Sequence, residues 1–201
     1  MHRLATLRPI AAPLIVASAA VFAACSQKPV APPTGVSASA AHSGHASSAR
    51  QNNEKLTSVQ LKAIADVRKA TTQFHDTAVA MNAGYSTQYP AGCAESADGA
   101  QGFHYLNEGL VDGKVELLRP ELVMYEPGPN GQRNLVGVDY IVPLSMSENP
   151  PVLLGQQFAK LGPPLNVWAL HIWAWRPNPS GMFALWNPKV SCEHAESAPR
   201  R

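Results

Sequence analysis

The sequence predicts an α+β fold, with one long N-terminal helix packed on an antiparallel sheet. Three observations lead there. From Thr57 onward, Ile64, Val67, Thr71, Phe74, Ala78 and Met81 recur at spacings of three and four, which puts them on one helical stripe. In the segment 134–142, Val136, Val138, Tyr140 and Val142 alternate with period two, so they share one face of a strand. The run Glu121–Glu126 is separated from that segment by Pro127-Gly-Pro-Asn-Gly131, a turn-forming stretch that suggests a hairpin. Curling of the sheet into a partial barrel is the alternative to a flat one.

The elements follow in order. The helix is expected over 57–82. Thr57 and Gln60 have capping-box spacing at its start, and Gly84 stops it. His75 falls beside Phe74, on the border of the apolar stripe. Residues 86–101 read as a loop, punctuated by Pro90, Gly92, Cys93 and Gly99. Strands are expected at 101–107, 121–126 and 134–142, the last stopped by Pro143. Residues 143–166 are proline-rich and read as irregular, with one short helix near 153–160. Residues 167–175, Val-Trp-Ala-Leu-His-Ile-Trp-Ala-Trp, form the strongest strand signal in the chain. A tight turn at 176–181 follows, and 182–186 read as a returning strand. These elements make one domain, 54–192, with a short tail at 193–201.

The residues before that domain carry a different message. Arg3 and Arg8 precede an apolar run from Ile10 to Ala24, which ends at Cys25. A basic start, a short apolar stretch and small residues before a cleavage point make an export signal, and the run is shorter than the roughly 20 residues that a bilayer-spanning helix needs. Residues 26–53 are rich in Pro, Ser and Ala and read as a flexible tether, since they offer too little apolar surface to fold alone. His42 and His45 lie in that tether. The net charge of +2 disappears with Arg3 and Arg8, leaving 14 basic and 14 acidic side chains. Such a balanced chain has no field for nucleic acid.

Three cysteines divide between two roles. Cys93 and Cys192, distant along an exported chain, pair most simply as a disulfide. Neither has a neighbouring CxxC partner, which ranks metal thiolates and a catalytic thiol lower.

Two strand histidines are the candidates for chemistry. His171 shares a face with Ala169, Trp173 and Trp175, while Trp168, Leu170 and Ile172 point the other way. Both faces are apolar, so the strand is expected to be central and His171 must satisfy two ring nitrogens inside it. His104 shares a face with Gly102 and Leu106, opposite Phe103 and Tyr105. Together with Glu108, Glu121 or His75, these histidines can supply a nitrogen-and-carboxylate site of the kind that takes zinc, copper or iron. The spacing matches neither HExxH nor HxH. Hydrogen-bonded structural histidines are the competing reading. The aromatic residues Phe103, Tyr105, Trp168, Trp173, Trp175, Phe183 and Trp186 can line a ligand pocket or simply fill the core. Haem would have His104 or His171 as axial ligand, but no CxxCH motif is present. Asn178 and Asn187 read as turn residues whose amides bond backbone. No GxSxG element or glycine-rich phosphate loop occurs.

Ala23-Ala24-Cys25 resembles a bacterial lipobox. That resemblance implies cleavage before Cys25, acylation of its thiol and anchoring in a lipid bilayer; Ser26, being other than Asp, implies the outer membrane of a Gram-negative envelope. The segments Gly102-Phe-His-Tyr-Leu-Asn107, Pro120-Glu-Leu-Val-Met-Tyr-Glu-Pro127, Gly137-Val-Asp-Tyr-Ile-Val-Pro143, Leu170-His-Ile-Trp173 and Asn178–Pro188 resemble a group of uncharacterised bacterial secreted proteins and lipoproteins. That likeness carries no activity with it. The expectation is therefore a periplasm-facing lipoprotein that binds a metal ion or small ligand through His104, His171, Trp173, Trp175 and Tyr105, in a pocket between helix and sheet. A metal-dependent enzyme and a ligand-free structural lipoprotein are the alternatives.

Overall fold

A computed structural model describes residues 55–196. Cys25 and the whole leader and tether, including His42 and His45, lie outside the described residues. Within them, one long N-terminal helix packs on an antiparallel sheet that curls into a half barrel. Helix α1 spans Ser58–Thr71. Its capping box closes reciprocally: Gln60 N donates to Thr57 Oγ1 at 3.2 Å, and Thr57 N donates to Gln60 Oε1 at 2.9 Å. Arg68 and Lys69 in the last turn complement the helix dipole.

The helix does not run unbroken to residue 82. A 3-10 turn, Thr72–His75, continues α1, and a separate short helix, α2, covers Thr77–Asn82. Asp76 breaks the run. Its backbone is extended and its carboxylate accepts from Ala78 N at 2.8 Å, capping α2. The Phe74 carbonyl is meanwhile taken by the Tyr125 hydroxyl at 2.6 Å. The stripe holds through Ile64, Val67, Thr71 and Phe74, but past the break Ala80 is buried in place of Ala78 and Met81.

Eight strands follow: β1 Tyr85–Ser96, β2 Gly99–Asn107, β3 Leu122–Pro127, β4 Arg133–Pro143, β5 Val152–Leu153, β6 Gln156–Gln157, β7 Ala159–Leu161 and β8 Val167–Ile172. Six form one sheet in the order β1-β2-β3-β4-β8-β7, every pair antiparallel. Three expectations fail here. The segment read as a loop, 86–101, is mostly β1 and the start of β2. Its Pro and Gly are accommodated because β1 is an edge strand with three breaks in register. The short helix expected near 153–160 is instead the β5–β6 hairpin, turned by Leu154 and Gly155, both at positive φ. Residues 182–186 form no strand and run irregularly across the sheet, as far as the isolated bridge between Asn187 and Ala100.

The sheet divides the domain into two apolar layers. On one face Val123, Tyr125, Val138, Tyr140, Val142, Leu170 and Ile172 pack against Ile64, Val67 and Phe74 of the helical segment. On the other face two smaller clusters form. One joins Met124, Val136 and Trp173 to Ala100 and Val190; the other holds Leu106, Leu122, Ile141, Val167 and Ala169. Val136 was expected to share a face with Val138. A register break where Tyr125 pairs with Leu135, rather than Val136, sends it to the opposite side. The segment 182–192 covers that second face, and a disulfide between Cys93 and Cys192 ties it to β1, with Cα atoms 5.9 Å apart.

Candidate metal centre

Strand register assembles the site. Asp139 on β4 lies directly opposite His171 on β8, and His104 on β2 lies opposite Met124, which itself lies opposite Gly137. With period-two alternation this puts His104, Asp139 and His171 on one face, away from the helix. The two histidines therefore face away from the helix; a cavity of about 180 Å³ does lie between α2 and the sheet, lined by Tyr85, Tyr105 and Tyr125, but neither histidine reaches it. Strand β3 intervenes between β2 and β4, and adjacent strands are about 4.8 Å apart. The inward curl nevertheless brings one ligand atom from each residue to within 4.8 Å of the others. Glycines make this close packing feasible. A Cβ on Gly102, at φ +83°, would collide with the Tyr125 carbonyl, and one on Gly137 would stand 2.6 Å from the Ile172 oxygen.

All three side chains are buried: His104 is 2% exposed, His171 3% and Asp139 5%. Their hydrogen bonding is incomplete. His171 Nδ1 lies 3.1 Å from the Leu185 carbonyl, supplied by the covering segment. A carbonyl only accepts, so Nδ1 carries the proton. In the neutral ring, Nε2 then presents a lone pair to Asp139 Oδ2, 3.4 Å away. Nδ1 of His104 and Oδ1 of Asp139 are buried with no partner among the described residues. Burial, and secondarily His171, push the His104 pKa down to about 4, so its ring is neutral near pH 7. The neutral His104 ring thus converges with His171 Nε2 and the Asp139 carboxyl, all three inside the sheet face.

That donor set suits a divalent cation. Metal–ligand bonds of about 2.1 Å in a tetrahedron put neighbouring ligand atoms about 3.4 Å apart, which is the spacing of His171 Nε2 from Asp139 Oδ2. The Leu185 carbonyl holds the tautomer that frees Nε2, as carbonyls commonly do behind metal-bound histidines. His104 and His171 were expected from sequence, and the structure brings them together, with ring centroids 5.6 Å apart. Asp139 was missed. The available signal was a lone carboxylate inside the apolar run Val136–Val142.

The other expected site residues lie elsewhere. Glu108 accepts from the Thr87 hydroxyl on the surface. His75 is exposed and stacks edge-on against Trp175, with centroids 4.4 Å apart. Glu121 is buried before β3, where its Oε2 accepts from Ile141 N at 3.2 Å; burial raises its pKa to about 8. Tyr105 packs on Tyr125 on the helix-facing side. Trp175 was read on the His171 face, but β8 ends at Ile172. The chain turns there, and the Trp175 indole donates to Thr71 of α1 at 3.1 Å. Trp173 does stay with His171, centroids 6.1 Å apart, its indole donating to Ala184 O. Asn178 and Asn187 serve turns, as expected: Asn178 donates to Trp186 O and Asn187 accepts from Lys189 N.

His171 also borders a cleft of about 810 Å³, walled by β6 and the covering segment. No protein-family model, curated protein or solved structure matches this chain.

Proposed function

We propose that this protein is an exported, lipid-anchored, metal-dependent enzyme whose centre is His104, Asp139 and His171. One observation carries the reading: with Nδ1 of His171 donating to Leu185 O, its Nε2 and Asp139 Oδ2 face each other as two acceptors, and two further buried donor-set atoms lack partners. A buried polar group without a partner costs about 1–3 kcal/mol, and a cation offsets all of these costs at once. Three protein ligands leave a four-coordinate ion one position for water or substrate, the arrangement of catalytic rather than structural sites. Zinc or iron suits the set; such an ion supplies an activated water or an oxygen-binding position. The neighbouring cleft supplies access. The export leader and Cys25 support the envelope location and the lipid anchor.

A competing reading has a specific basis. Protonating His171 on both nitrogens would turn the 3.4 Å contact with Asp139 into a buried ion pair with no metal. Elemental analysis of protein purified without a nickel column separates the two. About one equivalent of metal, lost in His104→Ala and Asp139→Ala, is the expected result; metal-free protein that takes up no zinc, iron or cobalt overturns the proposal. In cobalt-loaded protein, a visible spectrum that shifts on adding azide reports the open position, and a spectrum that does not shift assigns binding without catalysis. Replacement of Cys25 by Ala is expected to move the protein from the membrane fraction to the soluble one.

A further inference from the structure

The cleft beside His171 has a chemical character of its own. Gln156 and Gln157 of β6 contribute to one wall, and Phe183 and Trp186 of the covering segment to another; Ser180 and Asp98 also line it. No lysine or arginine is among its lining residues, so an anionic phosphate or carboxylate would find no counter-charge there. The chain contains four tryptophans. Three commit their indole N–H to the protein: Trp168 to Ser147 O, Trp173 to Ala184 O and Trp175 to the Thr71 hydroxyl. Trp186 alone has no partner for its N–H among the described residues, and it is half-buried against the cleft. The side-chain amides of Gln156 and Gln157 likewise make no hydrogen bond within the described residues.

We infer that the cleft binds an uncharged, polyhydroxylated ligand, a saccharide, with Trp186 stacking on a sugar ring and Gln156 and Gln157 bonding its hydroxyls. The physical match is direct. A pyranose ring presents an apolar C–H face and a rim of hydroxyls that both donate and accept. An aromatic plane with a free N–H takes the face, and a primary amide, which both donates and accepts, takes the rim. The cleft volume falls in the range of roughly 300–1,000 Å³ typical of small-molecule sites. One wall is shared with the metal centre, since Leu185 lies next to Trp186 and its carbonyl holds the His171 tautomer. A bound ring would therefore lie beside the ion. This assignment deepens the metal-enzyme reading by naming its substrate class, but the binding contacts do not themselves require the ion.

Titration of tryptophan fluorescence in the full chain tests this, using tetrasaccharides of β-1,4-glucose, α-1,4-glucose and β-1,4-N-acetylglucosamine, with a uronic acid tetrasaccharide as the charged control. Saturable binding of at least one neutral sugar is expected, with the uronate weaker by roughly tenfold or more, a difference of about 1.4 kcal/mol. Trp186→Ala is expected to weaken binding by a similar factor while Trp186→Phe, which keeps a stacking plane, retains most of it. Calorimetry repeats the titration on the tryptophan variants, whose fluorescence differs. The Trp186 backbone carbonyl that holds Asn178 survives either change. Absence of binding by every neutral sugar, or equal binding in Trp186→Ala, overturns the assignment, as does an equal affinity for the uronate. The titration is run with and without chelator: sugar binding that persists in metal-free protein supports the cleft assignment even where the metal centre fails, and metal retention without sugar binding refutes the cleft assignment alone.

Discussion

The two faces of the sheet are built on opposite terms. On the helix-covered face, polar atoms inside the apolar layer find partners: Tyr125 donates to Phe74 O at 2.6 Å, Tyr140 to Leu117 O at 2.6 Å and Tyr85 to Pro120 O at 2.8 Å. Each hydroxyl ties the sheet to a neighbouring segment. On the other face, equally buried and thinner in apolar contacts, His104 and Asp139 each keep an unpaired atom. The first face is a finished core. The second keeps buried polar atoms without partners, and that contrast, more than any single residue, underlies the proposed metal site.

The contrast can be broken most forcefully from the helix side. Ile172 is fully buried against Val67 and its neighbours. Ile172→Ala is expected to cost about 2–5 kcal/mol, read as a lower urea midpoint at unchanged slope, with metal uptake retained by the fraction that stays folded. A loss under about 1 kcal/mol would mean that this layer is not the main core.

The pH dependence of metal-free protein comes next in size. Glu121 has its pKa raised from 4.5 to about 8 by burial, with Asp139 adding to the rise. The folded state therefore holds a proton that the unfolded chain has lost, so its stabilising share is complete below 4.5 and fades as pH climbs to about 8. His104, lowered from 6.5 to about 4, works the other way: stability falls as pH drops from 6.5 toward 4. The two partly cancel between 4.5 and 6.5. Denaturation at pH 6.5 to 8 isolates Glu121, where stability is expected to decline by up to about 1.4 kcal/mol per pH unit. Glu121→Gln is expected to flatten that slope; an unchanged slope would assign it to another group.

The smallest effect is the sharpest comparison. Tyr125→Phe leaves the Phe74 carbonyl without its partner and is expected to destabilise by about 1 kcal/mol. His104→Leu, in metal-free protein, removes an atom that had no partner and is expected to cost nothing or to stabilise slightly. Thermal melts of the two variants with and without zinc check this. Equal losses for both in the absence of metal would erase the distinction between the faces.

Much of this architecture was legible in the sequence because its signals are local. The capping pair Thr57 and Gln60, the alternation within β4 and the β3–β4 hairpin all follow from short-range periodicity and turn chemistry. The two histidines stood out because imidazoles are conspicuous inside apolar strands. What escaped depends on distant partners. The break at Asp76 goes with the Tyr125 hydroxyl, which arrives from 51 residues away to claim the Phe74 carbonyl. Strand β1 hides behind Pro90 and Gly92 because an edge position tolerates both. Asp139 joins the site only because β4 pairs in one particular register with β8, and a single-residue slip would turn it toward the helix.

The order of strands in the sheet has one last effect, on how the molecule meets copies of itself. Its outer strands are β1 and β7. The first is interrupted by three irregularities and a proline, and the second is three residues long. Neither offers a long, straight row of free amides and carbonyls for another chain to zip onto. Copies of the domain meeting at high concentration are thereby protected from backbone-to-backbone pairing along the edges of this sheet.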